Sequence, residues 1–503
     1  MATLPVPLHA WSTHQTVIGL PAPADKRTSL PVSNSTKSFW FTDADVRPVP
    51  HEGSEGPVTD GADICIIGSG ITGVSAAYHL SRAFSGDNSL AASLGRPVKA
   101  VLFEAREFCS GATGTNGGHL TAHKFGEFRR WQKELGQEEA MRALEIEQYT
   151  VKELTRILKE NGKEEYVDLT HGGRLMLMFS EQELTETKAD YEAAKSAGAD
   201  MTGVEWLSKE EVWRRYGAPY PAVLIPGNNL WPLKAVSVLY NLAQNSSANF
   251  SLNLHTRTPV TSISPIEASN AVANSPFPRR HTLTTPRGPV TCSYVLHATN
   301  AYASHLLPHL AGPNGIVPTR GQIIAVRASV PAKELSDVGG TGNEGFEYWF
   351  PRPVKSDAEE TPLVIVGGGR EVAKGFELYE TDDSVINKDV GVALRAFLPA
   401  TFPEKYDAEQ DPEMEWTGIM GYTHSGDPFV GPVVDKGQRG DNPAYDGQFI
   451  AAGYAGHGMP RAFACAEAVV GMIVADIQGK MWSPPSWLPR GYLTQHKDAS
   501  QTG

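Results

Sequence analysis

Residues 63–73 read DICIIGSGITG, an aliphatic run that breaks into glycines at Gly68, Gly70 and Gly73 with the spacing G-x-G-x-x-G. After a strand and at the start of a helix, the first glycine permits a tight turn and the second lets backbone approach a pyrophosphate. The third lets helix pack on strand. The amides of Ile71 and Thr72 then belong to a helix N-terminus that faces the phosphates. The order predicted from this point is a strand over 63–67, a helix over about 71–84, a polar loop GDNSLAASLGRP and a second strand in VKAVLFEA. That is a βαβ unit. Glu104 ends the second strand, where a carboxylate accepts hydrogen bonds from an adenosine ribose. Its distance from the glycines exceeds the usual value of about 20 residues, and the loop 85–97 accounts for the excess.

The same fingerprint serves NAD and FAD, so the nucleotide is decided elsewhere. Just after the second strand comes CSGATGTNGGHL (109–120), whose small residues and Gly117-Gly118 pair let main chain lie against a broad planar ring. Near the other end, GQFIAAGYAGHGMPRAFACAEAVVGMIVADI (447–477) reads as a strand, a Gly-rich turn and an Ala-rich helix beginning around 456–460. That helix start offers amides and a positive dipole end. A reduced isoalloxazine carries negative charge near N1 and C2=O, so this arrangement selects flavin over nicotinamide.

The 503 residues imply two to three structural units and room to enclose a ligand. Hydrophobic residues at 41% and charged residues at 20% place the chain among folded globular proteins. A net charge of -13 with no Lys/Arg block argues against nucleic acid and for a small-molecule partner. Cys65, Cys109, Cys292 and Cys465 lie far apart without a CxxC pair, which suggests neither disulfides nor a zinc cage and fits a reducing, cytoplasmic compartment. No apolar run of about 18 residues suggests an integral membrane segment, and the first residues lack a secretory pattern. No motif specifies an oligomeric state.

Pro, Ser, Thr and Gly dominate 1–60, which reads as an extended arm in which SFWF (38–41) docks on the body. Apolar residues at three- and four-residue intervals over 127–161 predict one or two scaffold helices, and 232–244 predicts another. Strands are expected at 172–180, 256–264, 281–300, 320–330, 345–353 and 362–369. The fold class is α/β: a Rossmann-like dinucleotide domain interleaved with an α+β substrate domain. The expected division is an N-terminal arm 1–60, a nucleotide domain in parts 61–165, 231–310 and 416–485, a substrate domain in parts 166–230 and 311–415, and a tail 486–503.

The chain resembles the FAD-dependent oxidoreductases of the D-amino-acid oxidase, glycine oxidase and sarcosine oxidase type, with greatest likeness to the γ-glutamylputrescine oxidoreductase-like branch. The resemblance rests on DICIIGSGITG, Glu104, SGATGTNGGH, VLHATNAYA (295–303), PTRGQ (318–322), WTGIMGYTHSGDPFVG (416–431) and FIAAGYAGHGMP. It implies a substrate domain built on an antiparallel sheet. It also implies FAD contacts from Ala105 and Arg106 beside Glu104, and from Ser110, Gly111, Ala112, Thr113, Asn116, Gly117 and Gly118. Further contacts follow from Val260, Ala298 and Thr299, and from Gly453, Gly456, His457, Gly458 and Met459. Three positions depart from the pattern. Ser425 stands where relatives often carry Asp. Met420 stands where some tether flavin through Cys, so FAD is expected to be held non-covalently. Ile365 aligns with a Lys that promotes oxygen reduction, which leaves oxidase and dehydrogenase both open.

The reaction implied is hydride removal from a carbon beside an amine, giving an imine that hydrolyses, with a small-molecule amine or amino acid as substrate. The flavin-facing polar candidate is His119. Arg320 in RGQ is a candidate for a substrate carboxylate, and Tyr348, Trp349 and Tyr422 are candidates for an aromatic cage. His457 orients its loop. HLTAH (119–123) lacks the Glu of H-E-x-x-H, so no metal site is expected, and Gly426-Asp427 reads as a turn. Two other readings keep the cradle but change its use: an oxygenase or desaturase of a specialised metabolite, and a flavin-stabilised binding protein without turnover.

Overall fold

A computed structural model describes all residues except 1–2, 20–26, 44–45, 47, 49, 87–93, 267–276, 356–359, 436–442 and 498–503. Most of the polar loop expected at 85–97 lies outside the described residues.

Strand Gly61–Ile67 is buried along nearly all of its length and lies at the centre of the first sheet, parallel to Val98–Phe103 on one side and Gly288–His297 on the other. Burial on both faces is why it reads as an unbroken aliphatic run rather than an alternating one. Phe250–His255 and Gln448–Ala452 extend the parallel sheet outward, and Phe429–Pro432 closes one edge antiparallel. Helix Ile71–Ala83 packs against Pro232–Gln244 and Ala462–Ile477. The last of these buries Ala462, Ala464, Ala466 and Ala468, and small side chains let the two helices approach closely.

The second sheet runs in the order Met414–Tyr422, Val317–Arg327, Leu363–Gly367, Glu347–Pro351, Gly339–Gly342, Arg174–Leu177, Ala222–Ile225, Glu205–Leu207. Every neighbouring pair is antiparallel except Gly339–Gly342 with Arg174–Leu177. The fold is therefore a Rossmann-like α/β unit interleaved with an α+β unit on a largely antiparallel sheet. Strand Met414–Tyr422, which a division at 415/416 cuts, pairs with Val317–Arg327 along its whole length in the second sheet.

Several elements differ from expectation. Residues 256–264 are not one strand: Arg257 takes φ 49°, and the strands flanking the break are Phe250–His255 and Ser262–Pro265. The scaffold is two helices, Phe128–Leu135 and Gln137–Glu160, broken at Gly136 with φ 89°. The C-terminal helix begins at Ala462 rather than within 456–460. The arm is not wholly extended either. It contains helix Ala10–Ile18, whose Ala10, His14 and Ile18 are buried against the body, so tertiary packing overrides a weak local pattern.

Candidate active site

A cavity of about 570 Å³ runs from the Gly68 turn to the second sheet. At one end Gly68, Gly70, Ile71 and Thr72 line it together with Glu104, Ala105 and Arg106. Glu104 is locked in place: Oε2 accepts from the amide and hydroxyl of Ser69 at 3.1 and 2.7 Å, and Oε1 from the Arg106 amide at 3.0 Å. The N-cap position Gly70 has no side chain to cap the helix, and the Ile71 amide donates to Thr113 Oγ1 at 3.0 Å. An added Cβ on Gly111 would meet nothing within 4 Å, although Gly111 lines the cavity. Its bareness keeps that space open.

The loop 109–120 forms the next part of the wall. Trp416 and Trp40 donate their indole N–H groups to the carbonyls of Thr115 and Asn116 at 2.8 and 2.6 Å. An added Cβ on Gly117 would lie 2.2 Å from the Tyr348 ring, and one on Gly118 2.8 Å from the Leu230 carbonyl. These two glycines therefore serve the packing of the protein's own side chains, where the expected use was close approach to a planar ring. Ala112, Thr113, Asn116 and Gly117 line the cavity, as do Val260, Ala298 and Thr299, and then Gly456, His457, Gly458 and Met459.

A family model for FAD-dependent oxidoreductases, DAO, matches residues 63–472. The chain belongs to the DAO family of FAD-dependent oxidoreductases. It is 23% identical over 412 residues to the protein named "Probable oxidoreductase OrdL" of Rhizobium meliloti (strain 1021), covering 81% of each chain. Glycine oxidase from Geobacillus kaustophilus shares the fold with TM-score 0.57 at 20% identity, covering 85% of this chain and 97% of that one. L-proline dehydrogenase from P. horikoshii does so with TM-score 0.60 at 17% identity, covering 87% and 98%.

The residues present fit the family's cofactor: a carboxylate at a strand end, a helix start whose N-cap Gly70 carries no side chain and a bare Gly111 follow one another along one cavity. Within this DAO fold, some expected contacts stand behind the wall. Gly73, Ser110, Gly118 and Gly453 do not line the cavity. A Cβ on Gly73 would lie 1.8 Å from the Gly68 carbonyl, so its task is strand–helix packing. Ser110 offers its carbonyl to Arg106, and Gly453 donates its amide to Asn300 Oδ1 at 3.0 Å. Arg106 lines the cavity but forms a buried ion pair with Asp383 at 2.9 Å.

Of the four chemical candidates, His119, Tyr348 and Tyr422 line the cavity and Arg320 does not. Arg320 Nε donates to Glu377 at 2.5 Å and its Nη1 to the Asp382 carbonyl at 2.9 Å, so its charge is spent inside the protein. The imidazole of His119 sits edge-on to Tyr348 and Phe350, with ring centroids 5.6 and 5.7 Å apart. Burial, with Arg174 and His457 nearby, pulls its pKa down to about 3. His119 is therefore uncharged at neutral pH. Burial pushes the Tyr348 hydroxyl up. Ile365 is buried in its strand and does not line the cavity. Trp349 likewise faces away, into a cluster with Phe397 and Phe402.

Sequence reasoning missed several wall residues. Arg370 is buried, donates to the Tyr422 hydroxyl at 3.2 Å, and lies 4.9 and 5.0 Å from the centres of the Phe346 and Tyr422 rings. Trp11 and Gln15 line the same cavity from the N-terminal helix, with His14 edge-on to Tyr422 at 5.2 Å between ring centroids. His123 and His457 stack 4.1 Å apart beside the fully buried Glu147, and Arg461 Nε donates to Glu147 Oε1 at 2.7 Å. Burial opposes ionisation of Glu147, but His123, Arg461 and His457 outweigh it and hold the carboxyl well below its usual range. The ligand atoms of His123, Glu147 and His457 lie within 4.8 Å of one another. The Arg461 guanidinium pairs with that same carboxylate at 2.7 Å. The only signal for Arg370 was GGGR (367–370), and for Arg174 GGR (172–174), both glycine turns ending in a cation.

Proposed function

We propose that the protein oxidises an amine or amino acid at a carbon bearing nitrogen, using FAD held without a covalent bond. Bound FAD supplies the two-electron acceptor. The observation that carries the reading is the continuity of one cavity from Glu104 and Gly70 to His119, Tyr348 and Tyr422. It joins a dinucleotide cradle to a chamber walled by those three side chains. None of the four cysteines, all buried, lines the cavity, which supports non-covalent retention.

Within the chamber the protein's contribution is placement and desolvation. A neutral amine has the lone pair that assists hydride departure, and a buried wall favours the neutral form. Uncharged His119 offers one N–H and one ring nitrogen for orienting that amine. Tyr348 and Tyr422 provide apolar faces with polar tips. Trp11 and Gln15 of the N-terminal helix wall the cavity on one side. No helix among the described residues is long and apolar enough to cross a membrane, and four free buried thiols support a reducing, cytoplasmic location. The test is anaerobic mixing of the holoenzyme with a panel of amines and amino acids while the flavin absorbance is followed. Bleaching by a member of the panel supports the reading. Bleaching by NAD(P)H alone replaces it with an oxygenase.

A further inference from the structure

Parallel strands of the first sheet end level with one another: Ile67 lies opposite Phe103 on one side and His297 on the other. Gly68, Glu104 and Ala298, the residues that follow, line the cavity, and the carboxyl ends of such strands are where a dinucleotide settles. Thr258, whose amide donates to the Glu104 carbonyl at 2.8 Å, carries the wall on from there with Tyr302 and His305. Leu30 and Pro31 line the same cavity. They belong to the N-terminal arm, which precedes the family-matched residues 63–472.

Residues 27–32 belong to no helix or strand, so their course is set by bonds to the body. Before Leu30, the Thr28 amide donates to Ser304 Oγ at 2.9 Å, the two hydroxyl oxygens lie 2.9 Å apart, and Arg27 Nε donates to the Ser304 and His305 carbonyls at 3.0 Å. After Pro31, the Val32 carbonyl accepts from Arg106 at 3.2 Å and the Thr36 amide donates to the Asp383 carbonyl at 2.8 Å. Arg106 is the residue whose amide holds Glu104. The arm and the carboxylate at the strand end therefore share one anchor. Between these pins Leu30 and Pro31 stay half-exposed although Thr28 is buried. An apolar pair held open on a cavity wall suits the flat face of an adenine, and His305 Nε2, buried without a partner among the described residues, offers a hydrogen-bonding atom for a ring edge.

We propose that Leu30 and Pro31 are cofactor-contacting residues, and that the arm from Arg27 to Thr36 is a clasp over the adenosine half of FAD which must lift before FAD leaves. The inference needs FAD, which the family supplies, and no turnover. It therefore stands or falls separately from the amine-oxidation reading.

The experiment follows FAD release from the diluted full-chain holoenzyme by the gain in flavin fluorescence. Leu30→Ser should speed release by roughly ten- to a hundred-fold, the scale for losing one apolar side chain from a contact. Ser304 does not line the cavity, yet Ser304→Ala removes the Thr28 pins and should speed release by about ten-fold. Leu30→Met, which keeps the apolar contact, should release FAD at the wild-type rate. The visible bands of the flavin still bound should be unchanged in every variant, because the clasp lies at the Glu104 end of the cavity. A second measurement needs no variant: tryptic cleavage of wild type at Arg27 and Lys37 is compared between the holoenzyme and the full chain stripped of FAD. Bound FAD should slow cleavage by about ten-fold, since a clasp that holds FAD is held by it in return. Cleavage indifferent to FAD overturns the clasp, and that comparison stands even if Leu30→Ser does not fold. Wild-type release from Leu30→Ser overturns the contact, whatever Ser304→Ala does. Flavin bands that shift along with faster release also overturn it, because the disturbance then reaches the ring rather than the adenosine end.

Discussion

The indole N–H of Trp40 donates to the main-chain carbonyl of Asn116 at 2.6 Å, and the Trp40 carbonyl in turn accepts from the Trp231 indole at 2.9 Å. Trp40 lies before the family-matched region and Asn116 in the cavity wall within it, so the arm braces the loop from behind. Trp40→Phe keeps the packed ring and loses one hydrogen bond, at about 1 kcal/mol. FAD dissociation should tighten or weaken with loop order alone, and a weakening of roughly five-fold is expected by fluorescence titration. Unchanged affinity would show that the loop is held without the arm.

Gly111 and Gly73 should respond in opposite ways to the same change. Gly111→Val places methyl groups in cavity space that nothing else occupies, so the protein should fold and elute without FAD. Gly73→Val drives a Cβ against the Gly68 carbonyl at the first turn of the helix. It should lower the melting temperature or abolish soluble protein, consistent with overpacking against backbone. Circular dichroism and the ratio of flavin to protein absorbance separate the two outcomes.

His119→Ala should slow anaerobic flavin reduction by roughly ten- to a thousand-fold, the range for a positioned acid–base or orienting group, with FAD content retained. Its pKa near 3 makes a further demand. The reductive rate of wild type should rise with pH as the substrate amine deprotonates, and that inflection should be the same in the variant. An inflection that disappears with His119 would mean that the imidazole titrates near neutrality after all.

Acid should destabilise the protein through its buried histidines. Burial pulls His14 and His119 down to about 3, and His297 and His457 down to about 4, against about 6.5 in the unfolded chain. Between pH 6.5 and 4 the unfolded state therefore binds protons that the folded state refuses, so stability falls as pH falls. Each histidine contributes up to about 1.4 kcal/mol per pH unit. Glu147 adds a loss in the same direction, below about pH 4.3, as its depressed carboxyl is protonated. The melting temperature should drop measurably from pH 7 to pH 5. His14→Phe should flatten part of that slope, since it keeps an aromatic ring beside Trp11 and Tyr422 without a proton to exclude.

Legibility in the sequence followed how local each constraint is. The turn at Gly68, Gly70 and Gly73 and the acid Glu104 are set by backbone geometry within one βαβ unit, and Gly68, Gly70 and Glu104 line one end of the same cavity. Helix Pro232–Gln244 was readable because ten of its residues are buried around a proline start. Arg320 misled, because RGQ at a strand looks the same whether the guanidinium meets a ligand or Glu377, and the partner is 57 residues away. Arg174 and Arg370, each signalled only by a glycine turn ending in a cation, went unread for the converse reason: what surrounds a buried arginine is set by tertiary structure, as with Arg370 and Tyr422, 52 residues apart. Helix Ala10–Ile18 was hidden by composition, since its burial depends on Phe346, Phe376 and Tyr422, elements far along the chain.

The most direct measurement of the central claim is the absorbance of the purified holoenzyme's flavin after anaerobic addition of amino acids and amines, with NAD(P)H as the comparison. The account predicts bleaching by at least one substrate carrying an amine beside a C–H bond, and no bleaching by NAD(P)H. A flavin that stays oxidised against the whole panel, or that is reduced by NAD(P)H alone, would contradict it.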